Sequence, residues 1–300
     1  MPLDILVPFW GEPALLRATV HSVLAQRNDD WLLTVVDDAY PDESVAAWFA
    51  ELDDPRVTYV RNEHNQGITE NYRTCVSLAT QDVVVLLGCD DVLLPNYVDV
   101  VLGAAAAFPT VDIIQPGVQV IDETGAVVTT LADTVKQRLM MPRTRRPRVL
   151  SGEDLAISLL RADWLYWPSL AFRREVLVST PFRDGMPIIQ DLALVIDVVC
   201  AGGQLLLEPT LCFSYRRHTA SASSAKALDG SRFRGERDYF RQAGDQVAAL
   251  GWRRAERAAR THLTSRLHAL TLVPQAVASK RPDGLGTLLR HALRPGTSPE

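Results

Sequence analysis

The sequence predicts an α/β protein in which a mostly parallel central sheet is flanked by helices and followed by a C-terminal helical extension. Three observations carry that prediction. The first 120 residues alternate short apolar runs with helical stretches through short connections, the pattern of a sheet covered on both faces. A polar or glycine-bearing cluster follows each of the first four runs, so the clusters line one edge of such a sheet. From Gly230 onward the chain reads as helix alone.

The strands expected are Ile5 to Val7, Leu32 to Val36, Val57 to Val60, Val83 to Leu87 and Ile113 to Gln115. Between them, Ala14 to Gln26 places Leu15, Val20, Val23 and Leu24 near one helical face, and Ser44 to Leu52 follows a Pro-Asp-Glu start. Asn71 to Ala79 and Tyr97 to Phe108 complete the helices of this half. Asp122 to Ala126 reads as a turn joining two strands, and Ser151-Gly-Glu-Asp154 as a capping box opening a helix through Arg161. The six cations and no acids of Lys136 to Arg148 suit a mobile loop, either a plain linker or an anion-binding lid. Trp164, Tyr166 and Trp167 suit a core position. The domain boundaries expected are 1–110 and 111–224 for two halves of the α/β domain and 225–300 for the helical extension.

Composition narrows the class. With 300 residues, 47% of them hydrophobic and 22% charged, the chain has the make-up of an ordinary globular protein. No window reaches the ~20 uncharged apolar residues of a membrane span, and the N-terminus lacks a signal-peptide pattern. Cys75, Cys89, Cys200 and Cys212 form no CxxC pair, a reducing and cytoplasmic pattern. The net charge of −5 is uneven. Residues 1–135 hold 21 acids against 5 arginines, and the remainder holds 26 cations against 15 acids. An acidic half suits a cation and a basic half suits an anion.

Asp90 and Asp91 pose the sharpest question, because VVVLLGCDDVLLP runs a buried strand straight into two adjacent carboxylates. Two like unit charges at ~4 Å repel by about 4 kcal/mol at an effective dielectric near ~20. A diphosphate brought to that edge therefore needs a hard divalent cation, Mn2+ or Mg2+, between it and the carboxylates. The GxGxxG, GxxxxGK(S/T), GxSxG and HExxH patterns are all absent, which removes the usual supports for hydride transfer, P-loop chemistry and serine or zinc hydrolysis. Asp191 precedes an apolar helical run and so falls in a first turn, where the helix dipole favours a carboxylate.

In order along the chain, ILVPFWGEPALLRATVHSVLAQ, VVDDAYPDES, NQGITENYRTCVSLATQDVVVLLGCDDVLLP, SLAFRREVL, IQDLAL and YRRHTASAS resemble the motifs of family 2 glycosyltransferases with the GT-A fold. The resemblance covers roughly residues 3–224 and implies that the 1–110 half is nucleotide-sugar-binding and the 111–224 half acceptor-binding. It implies metal-dependent, inverting transfer of a sugar from a nucleotide diphosphate, UDP being favoured, to a hydroxyl of a glycan or glycolipid. By position it implies that Pro8, Trp10 and Glu12 meet the base, that Asp38 (beside Asp37) binds the uracil edge, and that Gly67 and Asn71 approach base and ribose. Asp90 and Asp91 face ribose and metal, Asp191 is the catalytic base, and His218 helps hold the metal or diphosphate. Ala39-Tyr40 replaces the usual Gly-Ser, Gly88 stands at the first aspartate of the DxD motif, and Gln190 replaces a common acid. Arg216 and Arg217 read either as phosphate partners or as solvated side chains.

Two alternatives stay open at this level: a nucleotidyltransferase on a similar sheet, and a sugar-nucleotide-binding protein without transfer activity. No nucleic-acid partner is expected. The basic C-terminal helices, with 9 cations against 3 acids in residues 251–300, are candidates for contact with the inner face of a membrane, for packing on the catalytic domain or for a homodimer interface.

Overall fold

The computed structural model describes residues 2–186, 189–217, 231–278 and 282–293. The strands are β1 (Leu3–Phe9), β2 (Trp31–Asp37), β3 (Val57–Arg61), β4 (Val83–Leu86), β5 (Val92–Leu93), β6 (Ile113–Ile121), β7 (Arg148–Ser151), β8 (Ala171–Arg173) and β9 (Gln204–Arg216). They form one sheet in the order β3-β2-β1-β4-β8-β6-β9-β5, with β7 added on β9. The first four strands in that order pair in parallel, as the sequence predicts. Beyond them β8 runs antiparallel to both β4 and β6, β5 and β7 run antiparallel to β9, and only β6 with β9 is parallel. Parallel character is therefore a property of the first half, and the sheet as a whole is mixed.

Alternation explains why the first half is so well specified. Leu3, Ile5, Val7 and Phe9 of β1 and Val83 and Val85 of β4 point to one face, while Leu6, Val84 and Leu86 point to the other. The first face is covered by α1 (Pro13–Leu24), α2 (Ser44–Glu51) and α4 (Tyr97–Ala107), through residues such as Leu16, Val20, Phe49, Val98 and Val101. The second is covered by α3 (Ile68–Leu78), α6 (Gly152–Arg161) and α8 (Gln190–Cys200), through Tyr72, Leu155, Leu159, Leu192 and Ile196. Trp164, Tyr166 and Trp167 are buried, as expected of core residues.

Several local expectations change. The Lys136–Met140 stretch is a π-helical turn continuing the short α5 (Leu131–Val135), not the start of a free loop. The capping box at Ser151 does not form: α6 begins there, but its Ser151 side chain makes no cap hydrogen bond. Glu153 instead accepts the amides of Arg254 and Ala255 at 2.7 and 3.3 Å, satisfying the start of a distant helix. The 122–126 segment does turn, with the Asp122 amide donating to the Ala126 carbonyl at 2.9 Å, but only an isolated bridge follows it. The helix before α8 is the short α7 (Arg174–Ser179).

The C-terminal part divides. Helices α9 (Ser231–Ala249) and α10 (Arg253–Thr261) join the second core through Tyr239, Phe240, Val247 and Ala259. Helices α11 (Leu263–Ala278) and α12 (Pro282–Leu293) bury a small cluster of their own around Ala269, Leu288 and Ala292. Among the described residues no helix is long and apolar enough to cross a membrane.

Candidate active site

The loops after β1, β2 and β3 are tied together by the two aspartates that end β2. Asp37, fully buried, accepts the Tyr40 amide at 2.7 Å, the Arg61 guanidinium at 3.0 Å and the Tyr59 hydroxyl. Asp38 accepts the Asn62 side chain and the Gln66 amide on Oδ1 and the Gly67 amide on Oδ2, each at 2.9 Å. The buried Asp38 thus fixes the β3–α3 loop, with one of its three bonds on Oδ2. Gly67 opens α3 at φ 86°, a conformation that favours glycine. Buried Asn71 donates to the Val36 carbonyl at 3.1 Å. Trp10 is half-exposed at the mouth of this corner, edge-on to Tyr40 with ring centroids 5.4 Å apart. Pro8 lies within β1 opposite Val36, one residue inside the strand end, and Glu12 is exposed at the start of α1.

After β4 the chain turns through Gly88-Cys89-Asp90-Asp91. Asp91 is folded inward: its amide donates to the Gly88 carbonyl at 3.3 Å, and its Oδ1 accepts the Arg216 amide at 2.8 Å. Asp91 Oδ2 is buried with no hydrogen-bond partner. Burial first, and then the charge of Asp90, push the Asp91 carboxyl well above its ordinary range. This geometry accounts for Gly88. A Cβ at that position would run into Asp91 Oδ2 and come within 3.1 Å of Asp90 Oδ1. A side chain at Gly88, the first position of the DxD pattern, would therefore displace the inward Asp91 carboxylate.

Arg216 and Arg217 both have partners within the chain. Arg216 is buried and donates to the carbonyls of Asp90, Asp122 and Glu123 at 2.6, 2.9 and 3.1 Å, fastening the Asp90-Asp91 turn to the 122–123 turn. Arg217 forms a two-pronged ion pair with Asp133 at 2.7 and 2.6 Å. Arg216 is thus buried and fully engaged, whereas Arg217 is paired but part-exposed. His218 lies outside the described residues.

Asp191 sits in the first turn of α8, where the sequence placed it, with the Leu192 amide on its Oδ1 at 2.8 Å. Loss of solvation, followed by the charge of Asp163, raises its carboxyl to about 7, while Lys136 acts in the opposite sense. Lys136 is held by the Leu165 carbonyl at 2.6 Å and lies 4.2 Å from the centre of the Tyr166 ring. Burial lowers its ammonium pKa. Gln190 accepts the Thr69 hydroxyl at 2.8 Å, joining the starts of α3 and α8. The Tyr215 phenol is raised by burial first and then by the charge of Asp91, with smaller contributions from Asp90 and Asp191, so Tyr215 lies within electrostatic reach of both acidic sites. Lys136, Asp163 and Tyr215 carry no spacing signal; only the fold brings them to Asp191.

Asp90 and Asp91 are the carboxylates that could hold a divalent ion, and the unpartnered Oδ2 of Asp91 suits one. Among the described residues no group of three or more His, Cys, Asp or Glu side chains could hold a metal alone. An ion here would need phosphate or water for its remaining ligands.

Residues 4–158 match the family model described as glycosyl transferase family 2. The chain belongs to that family. It is 30% identical over 101 residues to the putative colanic acid biosynthesis glycosyl transferase WcaA of Escherichia coli K12, covering 33% of this chain and 36% of that protein. It is 31% identical over 99 residues to the succinoglycan biosynthesis protein ExoW of Rhizobium meliloti, covering 32% and 31%. The chain thus spans about a third of the length of each of these relatives. Its fold resembles residues 1–349 of S. aureus TarS with a TM-score of 0.68 at 10% identity, covering 98% of this chain and 81% of that one. The same TarS segment in complex with UDP-GlcNAc matches with a TM-score of 0.64 at 13% identity. The family 2 chain therefore has the GT-A type of architecture that its motifs implied.

Proposed function

We propose that this family 2 protein transfers a sugar from a nucleotide diphosphate, with UDP favoured, to an acceptor hydroxyl with inversion. The observation that carries the reading is the place of Asp191 in the first turn of α8, with the Leu192 amide on its Oδ1; burial there raises its carboxyl to about 7. Trp10, Tyr40 and the loop around Gly67 form the corner for the base. Asp191 takes the proton of the acceptor hydroxyl as that oxygen attacks the anomeric carbon. The bond from the anomeric carbon to the diphosphate breaks, and the leaving diphosphate keeps its electron pair. Asp90 and Asp91 would hold a Mn2+ or Mg2+ ion, and when bound it would supply Lewis-acid stabilisation of that leaving charge. The neighbouring Arg216 keeps the acidic turn in place by its backbone contacts.

The UDP-GlcNAc and UDP complexes of TarS support a UDP donor for this chain by analogy of fold. The exposed leucines of α11 and α12 support a further part of the proposal, contact of the C-terminal helices with an anionic membrane surface. The test of the catalytic assignment is Asp191→Asn. Hydrolysis of a UDP-sugar panel in the absence of acceptor, and transfer where an acceptor is found, should fall by about 100-fold or more while UDP affinity stays within about twofold. Unchanged turnover would remove Asp191 from the role.

A further inference from the structure

A cavity of about 380 Å³ lies between β6, β9 and the 137–145 segment. This volume is in the ~300–1,000 Å³ range of small-molecule sites. It exists because β6 and β9 lose register. Gln115 pairs with Leu207 but Gly117 pairs with Leu211, so the Glu208-Pro209-Thr210 stretch bulges away from the ladder. Gly117 permits the approach: a Cβ there would lie 2.7 Å from the Pro209 and Thr210 carbonyls.

The lining is amphipathic. Pro116, Val118, Met141, Pro142, Leu207 and Pro209 supply an apolar surface. Arg143 and Arg145 also line it. Arg143 is steadied by two hydrogen bonds to the Arg138 carbonyl, at 3.2 and 2.9 Å, which leave its charge unopposed. Arg145 forms no ion pair or side-chain hydrogen bond among the described residues. The one acid in the lining, Glu208, accepts the Thr210 amide and hydroxyl at 3.0 and 2.6 Å instead of facing an arginine through an ion pair. Gln137 and Tyr166 form the inner wall and are bonded to each other at 3.0 Å. The Tyr166 ring also carries Lys136, whose ammonium group acts on Asp191. One layer of side chains therefore connects this cavity to the base.

We propose that this cavity is an acceptor subsite that takes an anion-bearing sugar, its ring on the apolar surface and its carboxylate or phosphate on Arg143 and Arg145. The inference rests on the glycosyltransferase reading for its role, but the binding itself does not require turnover. Two unopposed guanidinium groups beside an apolar floor match a ring that carries one negative group, and a neutral sugar would leave both unused.

The test is a ligand-observed NMR titration of the full chain with glucuronic acid, glucose 6-phosphate and glucose, with UDP binding followed separately by calorimetry. One or both acidic sugars should bind and glucose should not, and the comparison of the two tells carboxylate from phosphate. Arg145→Gln, which breaks no protein hydrogen bond, should weaken the acidic ligand by about tenfold, and Arg143→Lys should weaken it less because the charge remains. Both variants should bind UDP as the parent does. Equal binding of all three sugars, binding of none, or an Arg145→Gln protein that binds like the parent would each overturn the subsite. Loss of UDP binding in the parent protein, with acidic sugars still bound, would count against the transferase reading and leave the subsite standing.

Discussion

Ala39 adopts φ 59°, in the left-handed region where a Cβ is unfavourable. It follows the Asp37-Asp38 pair, whose hydrogen bonds to the Tyr40, Gln66 and Gly67 amides fix the local chain path. Ala39→Gly should therefore stabilise the protein by about 1 kcal/mol, seen as a higher urea midpoint with unchanged slope. An unchanged or lower midpoint would contradict that account of the turn. Asp191 gives a second prediction at this scale. If it must be ionised to act, kcat/KM should rise with pH through an apparent pKa near 7. Because its folded-state value is raised, its contribution to stability is present below the ordinary carboxylate range and lost as pH rises through about 7. Asp191→Asn should thus raise Tm more at pH 8 than at pH 5, and equal shifts would show that the carboxyl is not strained by burial. The position of Asp191 was legible because an apolar helix follows it. Its environment was not, since Asp163 and Lys136 reach it only through the fold. Gly88 was visible as a departure from the motif, but the inward Asp91 carboxylate that packs against it is a matter of three-dimensional packing.

Among the elements, β1 to β4 and the helices between them follow the periodicity of their residues, because β1, β2 and β4 are buried on both faces, β3 closes the edge, and each helix buries one face. The later strands escape that logic. β5 has two residues and β8 three, too short for any periodic signal. β9 is long but contains Glu208-Pro209-Thr210, which reads as a break and is accommodated as a bulge opposite Gly117. The C-terminal helices are partly legible: α9 and α10 pack on α6 and α8, the packing reading offered by the sequence. In contrast, Leu263, Leu267 and Leu270 of α11 and Leu289 and Leu293 of α12 are exposed. Leu263, Leu267 and Leu270 recur at helical spacing, and the surrounding segment is rich in arginine. The full chain should float with vesicles containing anionic lipid and remain behind with neutral ones, and Leu267→Glu with Leu270→Glu should abolish flotation. Equal behaviour on both vesicle types would exclude an electrostatic membrane contact.

At the level of the whole molecule, the uneven charge of the sequence acquires a place. The acidic first half carries Asp37, Asp38, Asp90 and Asp91 along the ends of the parallel strands, while the basic segment after Val135 borders the β6–β9 cavity. One sheet spans both halves, so the Asp37-Asp38 corner and the Asp90-Asp91 turn are held by a common frame. The central claim is that its acidic rim accepts a nucleotide diphosphate through a bound divalent ion. Calorimetric titration of UDP into the full chain, first with Mn2+ and then with EDTA, tests it most directly. The account predicts binding with Mn2+ that weakens by about tenfold or more on chelation. Equal affinity in both conditions, or no UDP binding in either, would contradict it.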